Sequence, residues 1–285
     1  MNSKVNYRNF IIALILVCIL FAGSELGSGV YATPLQYDII CFGDSVLGQI
    51  RDETSIPNIM AKKTGKTVFN ASFGGTTLSR HNTEHSNDDQ EDGYAMIALA
   101  RAIENEDFGL QQALRLRKFA VDHFPEMIDD LDQIDFQQAK TIIIRHGVND
   151  YHSGIPLENP ENPYDEYTFC GALRGSLKRL KSQLKDARII LVTPTFSWYK
   201  TDGNLKTCEE WNTGYGVLKD YVRALHLVAA EFDVEVLDQY DLFPHESLED
   251  YAQYTVDGLH PNLAGRERIA QSIADFVNQR KSIKQ

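Results

Sequence analysis

The sequence predicts an α/β fold, a three-layer α/β/α sandwich around a five-stranded parallel sheet. Short, almost continuously apolar runs recur along the chain, and longer segments with apolar residues at helical spacing separate them. Strands without polar alternation are buried on both faces, as in parallel sheets that helices cover on each side. Because no long repeat and no linker divides the chain, one domain is predicted over residues 33–285.

The five apolar runs are the predicted strands, which cover residues 37–42, 67–69, 141–144, 189–192 and 234–237. A helix predicted over residues 56–63 precedes the second strand and stops at Gly65, since glycine commonly ends helices. Leucines three or four residues apart predict a helix between the third and fourth strands. The same spacing predicts one helix before the fifth strand and another over residues 262–280.

Two connections are longer than the sheet requires, and we expect insertions near residues 79–136 and 196–216. The first holds a polar loop and then three helical patterns, over residues 94–103, 110–121 and 126–134. The second is rich in aromatic and polar residues. Long connections in compact domains are often lids or binding loops. Trp198 and Tyr199 are therefore candidate substrate-binding residues, with packing as the alternative role.

Residues 1–32 have the organisation of a secretory signal peptide. Lys4 and Arg8 precede an uncharged apolar run over residues 10–22, and small residues follow. The run is 13 residues long, whereas a membrane-spanning helix needs about 20. We therefore expect cleavage after Ala32 and a protein that is secreted or held at the extracytoplasmic cell surface. An uncleaved anchor is the alternative, and membrane contact would then be limited to this segment.

The charge balance narrows the classes of partner. Asp and Glu number 40 against 28 Lys and Arg, which gives a formal charge of −12 at pH 7. Such a surface repels phosphate backbones, and the basic residues form no continuous patch, so nucleic acid is not an expected partner. Four cysteines in 285 residues exclude a disulfide framework. Cys170 and Cys208 could form a single pair, which the sequence alone leaves open.

Chemically useful residues occur in four short segments, three at predicted strand ends and one before the last helix. The segments are Gly43-Asp44-Ser45-Val46, Asn70-Ala71-Ser72-Phe73-Gly74-Gly75-Thr76, Gly147-Val148-Asn149-Asp150 and Asp257-Gly258-Leu259-His260-Pro261. Ligands of parallel α/β sheets bind at the carboxyl ends of the strands, so we expect these segments to converge. Each segment alone is compatible with a turn or a helix cap. Together they supply a hydroxyl, glycine-rich backbone, an amide donor and an Asp/His pair, which is the inventory of a serine hydrolase.

In this order the four segments resemble the sequence blocks of the SGNH (GDSL-type) hydrolase superfamily. The resemblance extends from about Asp38 to the end of the last helix and implies the flavodoxin-like SGNH hydrolase fold. It also implies that Ser45 is the nucleophile and His260 the general base, while Asp257 orients the imidazole and stabilises its charged form. The first block has valine in place of the common leucine, and the G-x-S-x-G elbow of α/β-hydrolases is absent from the sequence.

The resemblance further implies an oxyanion hole. It would consist of the backbone N–H groups of Ser45 and Gly75 and the side-chain amide of Asn149, with Gly74 as the alternative to Gly75. Asp44 directly precedes the nucleophile and is an additional candidate for substrate binding.

A metal site is not predicted. His81 and His85 form an H-x-x-x-H pair, which can bind a metal when it lies on a helix. The surrounding residues are polar and typical of a loop, and no third ligand follows at a diagnostic spacing. The resemblance adds no cofactor, so none is expected.

The predicted function is that of an exported serine esterase that works through an acyl-enzyme intermediate. Its expected substrate is a small acylated molecule or an acetylated glycan, from which it removes O-acetyl groups. Hydrolysis of lipid esters or thioesters is the alternative, together with acyl transfer to an alcohol, which needs the same residues. A non-catalytic carbohydrate-binding module on this fold is a third alternative. The sequence leaves the oligomeric state open.

Overall fold

The computed structural model describes residues 33–81, 92–115, 123–201 and 203–279. The signal peptide predicted over residues 1–32, with its cleavage site after Ala32, lies outside the described residues. His85 and part of the first predicted insertion lie outside them as well. Of the helices that the structure describes, none combines the length and the apolar character that crossing a bilayer requires.

The central sheet has five strands, all parallel, and a separate hairpin has two. The strands are β1 Ile39–Gly43, β2 Val68–Asn70, β3 Thr141–Arg145, β4 Arg188–Val192, β5 Trp198–Thr201, β6 Asn204–Thr207 and β7 Glu235–Leu237. The order in the sheet is β2-β1-β3-β4-β7. Counting only these five strands, the order is 2-1-3-4-5, which is that of flavodoxin-like folds. The predicted fold class is therefore confirmed.

The described residues also form ten α-helices. They are α1 Ser45–Gly48, α2 Ile56–Thr64, α3 Met96–Asn105, α4 Gly109–Leu114, α5 Phe124–Leu131, α6 Val148–His152, α7 Phe169–Gln183, α8 Leu218–Glu231, α9 Leu248–Ala252 and α10 Leu263–Asn278. The hydroxyl of Ser55 caps α2 by accepting from Asn58 N. Gly65 follows that helix with φ at 67°, the left-handed conformation that the predicted stop requires.

The helices cover both faces of the sheet. From β1 the chain crosses in one direction to β2, and from β3 it crosses in the opposite direction to β4 and β7. Because such crossovers are right-handed, α2 lies on one face and α7 and α8 lie on the other. Helix α10 packs against α2, and α3 packs against α7. β1 and β3 are buried along their whole length as a result.

Strand β1 lies between β2 and β3, at the point where the direction of winding changes. Gly43, the last residue of β1, pairs in register with Arg145, the last residue of β3. The segments that leave these two strands therefore start side by side, at the place where ligands of open α/β sheets bind.

The two insertions differ from expectation in detail. Within the described residues, the first forms α3, α4, α5 and a 3-10 turn over Asp92–Tyr94. The second contains the antiparallel hairpin of β5 and β6, which the sequence analysis did not predict.

The cysteines of the described residues are free thiols. Cys41, Cys170 and Cys208 are buried and unpaired, so the bridge left open between the last two is not formed. Burial raises the pKa of Cys170 to about 11, and the Sγ of Cys208 lies 3.3 Å from the hydroxyl of Tyr240. These thiols fill the interior as small apolar side chains.

Candidate active site

Ser45 occupies the first position of a short helix at the end of the central strand. Asp44 caps this helix, because its extended backbone turns the chain and its side chain accepts from Val46 N at 2.9 Å. The Ser45 side chain lines a cleft above the sheet. The predicted nucleophile thus stands at the switch point, on a turn that its neighbour holds.

Asp44 itself is fully buried, with 0% of its surface exposed. Its carboxylate lies 3.6 Å from the Nη1 of Arg145, which is only 1% exposed. Burial lowers the pKa of Arg145, and the charge of Asp44 opposes that effect. Asp44 was a candidate substrate-binding residue by sequence. The structure corrects that role to a buried helix cap and ion-pair partner, because a side chain without exposed surface does not contact substrate.

His260 and Asp257 lie in a loop between α9 and α10, which we call the histidine loop (residues 255–261). The Nε2 of His260 lies 2.9 Å from the Oγ of Ser45, and its Nδ1 lies 2.7 Å from Oδ2 of Asp257. The other carboxylate oxygen accepts from the backbone N–H groups of Leu259 and His260, at 3.0 and 2.7 Å. A carboxylate, an imidazole and a hydroxyl are therefore joined in one chain of hydrogen bonds.

The ionisation of Asp257 fits this arrangement. Burial raises the pKa of its carboxyl, but the hydrogen bonds from the His260 ring, His260 N and Leu259 N outweigh burial and hold the pKa below its usual value. The carboxylate is therefore charged at neutral pH, and it can accept from Nδ1 of His260 and leave Nε2 free to receive a proton from Ser45.

The histidine loop closes on itself and on the β5–β6 hairpin. Val256 N donates to His260 O at 2.9 Å, and Thr255 forms a bridge with Pro261. Trp198 N donates to Gly258 O, also at 2.9 Å. Gly258 has φ at +88°, and a Cβ there would lie 2.3 Å from Trp198 O. Only glycine fits this close approach without a shift of the backbone.

The oxyanion donors predicted from the resemblance meet beside Ser45. Gly75 adopts φ at +79°, and both Gly74 and Gly75 line the cleft. Among the described residues, no acceptor lies within hydrogen-bonding distance of the backbone N–H groups of Ser45 or Gly75. Asn149 donates one of its two amide hydrogens to Thr76 O at 2.8 Å, which leaves the second available.

Asp150 links the two oxyanion segments, a role that the sequence analysis did not assign. Its buried carboxylate accepts from Leu78 N at 2.9 Å, from Ser79 N at 3.0 Å and from the Ser79 hydroxyl. Burial raises the pKa of this carboxyl, and the three hydrogen bonds oppose the effect. The chain that follows Gly75 is thereby fixed to α6, which carries Asn149.

The cleft has a volume of about 670 Å³, a usual size for a small-molecule site. Its lining consists of Ser45, Gly48, Gln49, Gly74, Gly75, His123, Phe124, Asn149, His152, Leu259 and His260. Sequence reasoning missed Gln49, His123, Phe124 and His152. For His152 a signal was present, since it follows Asn149 by three residues and so shares its face of one helix.

Trp198 and Tyr199 are not among the residues that line the cleft. The Tyr199 ring packs edge-on against the rings of Trp211 and His152, with centroids 4.9 and 4.8 Å apart. Trp198 contacts the histidine loop through its backbone and packs near Phe196, at 6.1 Å. Tyr199 thus contacts His152 of the cleft and Trp198 contacts the histidine loop, while neither residue lines the cleft itself.

Within the described residues, no group of three or more His, Cys, Asp or Glu side chains could hold a metal ion. His81 donates its backbone N–H to Asp92 at 2.8 Å, close to the ion pair of Arg80 with the same carboxylate. Its sequence partner His85 lies outside the described residues.

Comparisons with known proteins agree on the fold. The model of the GDSL-like lipase/acylhydrolase family matches residues 41–268. Among solved structures, a protein from Lactobacillus plantarum matches with a TM-score of 0.59 and 21% identity, covering 86% of this chain and 98% of that one. A protein described as a possible lipase, from Chitinophaga pinensis, gives 0.56 and 16%, covering 86% and 98%. A carbohydrate acetylesterase from Sinorhizobium meliloti gives 0.51 and 17%, covering 84% and 97%.

The search of curated proteins found no match. The sequence identities to these solved structures are low, so the matches show a shared fold and nothing about activity. The family match is different in kind, because it spans most of the chain and includes the segments that bring Ser45, Asn149 and His260 together. On that ground, this protein belongs to the GDSL-like lipase/acylhydrolase family of SGNH hydrolases.

Proposed function

We propose that this protein is an exported serine esterase that removes O-acetyl groups from carbohydrate. The observation that carries the proposal is the hydrogen-bonded chain from Asp257 through His260 to Ser45, whose serine end opens into the cleft beside three unoccupied N–H donors. A serine hydroxyl attacks esters only when a base takes its proton and donors stabilise the oxyanion, and this site supplies both.

The reaction follows from the geometry. Ser45 Oγ attacks the ester carbonyl carbon while His260 Nε2 accepts its proton, and Asp257 stabilises the imidazolium. The oxyanion receives hydrogen bonds from Ser45 N, Gly75 N and Asn149 Nδ2. When the tetrahedral intermediate collapses, the bond to the leaving oxygen breaks and His260 protonates the departing alcohol. Water then attacks the acyl-serine with His260 as base, and the acid leaves as Ser45 regains its proton.

The lining of the cleft supports a neutral, polar substrate. In the described part of the chain, no Lys, Arg, Asp or Glu side chain lines the cleft. Gln49, Asn149 and, besides the catalytic His260, two further histidines are polar groups of its lining. The formal charge of −12 disfavours anionic polymers and anionic lipid surfaces. Acetylated neutral sugars meet both conditions, and the carbohydrate acetylesterase from Sinorhizobium meliloti is an example of that activity on a similar fold.

The test of the mechanism is Ser45→Ala, assayed with p-nitrophenyl acetate and with an O-acetylated oligosaccharide. We expect kcat to fall by about 10⁴-fold or more, as for a lost nucleophile, and a serine-directed phosphonate to add its mass to the wild type only. Ser182→Ala, an exposed serine on α7, is the matched control and should keep full activity. Unchanged hydrolysis in Ser45→Ala would refute the mechanism.

The acyl chain is tested separately with p-nitrophenyl esters of two to sixteen carbons. A kcat/KM that peaks at acetyl supports the proposal, whereas a peak beyond about eight carbons would replace it with lipid-ester hydrolysis. Export is tested by cell fractionation and by the N-terminal sequence of the mature protein. We expect that sequence to start at Thr33, and a protein that retains Met1 in the membrane fraction would indicate an uncleaved anchor instead.

A further inference from the structure

One imidazole in the cleft has no part in the proposed hydrolysis. His152 ends helix α6, three residues after the oxyanion candidate Asn149, and its ring lines the same cleft as Ser45 and His260. Residues three apart on a helix share a face, so His152 and Asn149 are presented toward the cleft together.

Aromatic rings hold the His152 ring in place without a polar contact. Tyr199 and Trp211 lie 4.8 and 5.5 Å from its centroid, and Tyr151 lies 5.4 Å away. The hydroxyls of these tyrosines have other partners, since Tyr199 bonds to Ser197 Oγ and Tyr151 donates to Trp211 O, each at 2.5 Å. We call Tyr151, Tyr199 and Trp211 the aromatic cage. Its two tyrosine hydroxyls are already paired and offer the imidazole no hydrogen bond.

The two ring nitrogens of His152 differ in their surroundings. Nε2 is buried and has no hydrogen-bond partner among the described residues. Nδ1 has no partner among them either but is not buried, so it retains accessible surface. A buried N–H without an acceptor costs about 1–3 kcal/mol. An unpaired acceptor is better tolerated, which favours the tautomer with its proton on Nδ1. That proton is then available on the accessible edge of the ring.

The position of His152 relative to His260 shows which part of a substrate it would meet. Both imidazoles line the one cleft that Ser45 also lines. Burial lowers the pKa of His152 to about 4, so its ring is neutral at pH 7. His260 delivers its proton to the leaving oxygen, so the alcohol portion of the ester lies on the His260 side of Ser45. A neutral His152 thus meets the alcohol portion and carries no charge that would repel His260.

We infer that His152 is a substrate-binding residue whose Nδ1–H donates a hydrogen bond to a hydroxyl of the alcohol portion, so that the enzyme prefers polyhydroxylated leaving groups to simple alkyl or aryl ones. This inference rests on the proposed esterase function and deepens it. A phenylalanine would fill the same cage by packing alone, and the imidazole adds only the polar edge that faces the cleft.

The test compares two acetate esters that share the acyl group and differ in the alcohol, an O-acetylated oligosaccharide and p-nitrophenyl acetate. In His152→Phe, kcat/KM for the sugar ester should fall by about tenfold or more, mainly through KM, because binding to the alcohol is lost. For p-nitrophenyl acetate it should stay within about twofold. His152→Asn places an amide N–H near the position of Nδ1, so it should recover most of the sugar activity.

His226→Phe, at an exposed histidine of α8 that pairs with Asp238, serves as the control and should change neither rate. An equal loss on both esters in His152→Phe, or no loss on either, would overturn the inference. If the wild type cleaves p-nitrophenyl acetate but not sugar esters, the carbohydrate proposal fails. The comparison then uses acetate esters of glycerol and ethanol. A loss in His152→Phe on the glycerol ester alone supports the role of His152, and an equal loss on both esters contradicts it. A wild type without esterase activity refutes both.

Discussion

The backbone N–H of Trp198 donates to the carbonyl oxygen of Gly258, at 2.9 Å. Gly258 lies in sequence between Asp257 and His260. The first strand of the β5–β6 hairpin is thereby fastened to the histidine loop. A hairpin outside the main sheet thus supports the loop that carries His260. The second insertion therefore contributes to the geometry of the site, although Trp198 and Tyr199 do not line the cleft.

The first prediction concerns this contact. In Gly258→Ala, the new Cβ would lie 2.3 Å from Trp198 O, so the loop has to move and the bond between His260 and Ser45 lengthens. We expect kcat to fall by at least about tenfold with little change in KM, since misplacing a reacting group by about 1 Å can cost 10²-fold. The control is Gly203→Ala in the β5–β6 hairpin, where φ is likewise positive, at +79°, but nothing lies within 4 Å. Equal losses in both variants would assign the effect to backbone strain.

The second prediction concerns the buried carboxylate of Asp150. In Asp150→Asn, one acceptor oxygen becomes an NH₂ group that faces the donors of Leu78 and Ser79. We expect the free energy of unfolding to fall by about 2–3 kcal/mol, the cost of an unsatisfied buried donor. Asp107→Asn, which alters an exposed carboxylate that accepts from Gly109 N, should stay within about 0.5 kcal/mol in the same denaturant titration. Similar values for the two variants would contradict the role of Asp150.

The third prediction concerns the ion pair below the nucleophile. Arg145→Met leaves the carboxylate of Asp44 buried without a countercharge, and we expect a loss of about 3–5 kcal/mol in unfolding free energy. Adding Asp44→Asn removes the charge and keeps an oxygen for Val46 N, so the double variant should be more stable than Arg145→Met alone. Additive losses in this double-mutant cycle would show that the two side chains do not stabilise each other.

The fourth prediction concerns pH. Burial lowers the pKa of His152 from 6.5 to about 4 and also lowers that of His146. Both therefore bind fewer protons in the folded state than in the unfolded state below about pH 6.5, and for His152 the difference extends down to about pH 4. Their contribution to stability is complete above pH 6.5 and is lost as the pH falls, and the part due to His152 is lost as the pH approaches 4. Unfolding of His152→Phe, followed across this range, should depend on pH less steeply than unfolding of the wild type, and parallel curves would contradict the burial of a neutral imidazole.

The sheet could be predicted because its strands consist of unbroken apolar residues. The run predicted over residues 141–144 is β3 Thr141–Arg145, one residue longer, and the run over 189–192 is β4 Arg188–Val192. The hairpin of β5 and β6 was missed because its strands are short and partly exposed, without an apolar run. The pair Asp202-Gly203 between them is a recognised turn signal, and it would have predicted the hairpin.

The convergence of Ser45 and Asn149 could be predicted because parallel strands bring their carboxyl ends to one edge. His260 follows no strand, and its place beside Ser45 was implied by the resemblance. Phe124 could not be placed there, since its position depends on how the first insertion folds back onto the cleft. Asp44 was misassigned because adjacency to a nucleophile in sequence does not mean exposure. Directly after β1 its side chain turns inward, where it meets Arg145 from the neighbouring strand.

The burial of Asp44 has a consequence for how such proteins are found. Asp44, Asp150 and Gly258 are among the residues of the recognisable segments that do not line the cleft. Asp44 caps a helix, Asp150 binds the backbone after Gly75, and Gly258 allows the close approach of Trp198. A motif score therefore largely measures whether a chain can build this corner of the fold. A related chain in which Ser45 alone was replaced would score nearly as well and would have lost its nucleophile, so the serine itself has to be checked before such a chain is taken for an enzyme.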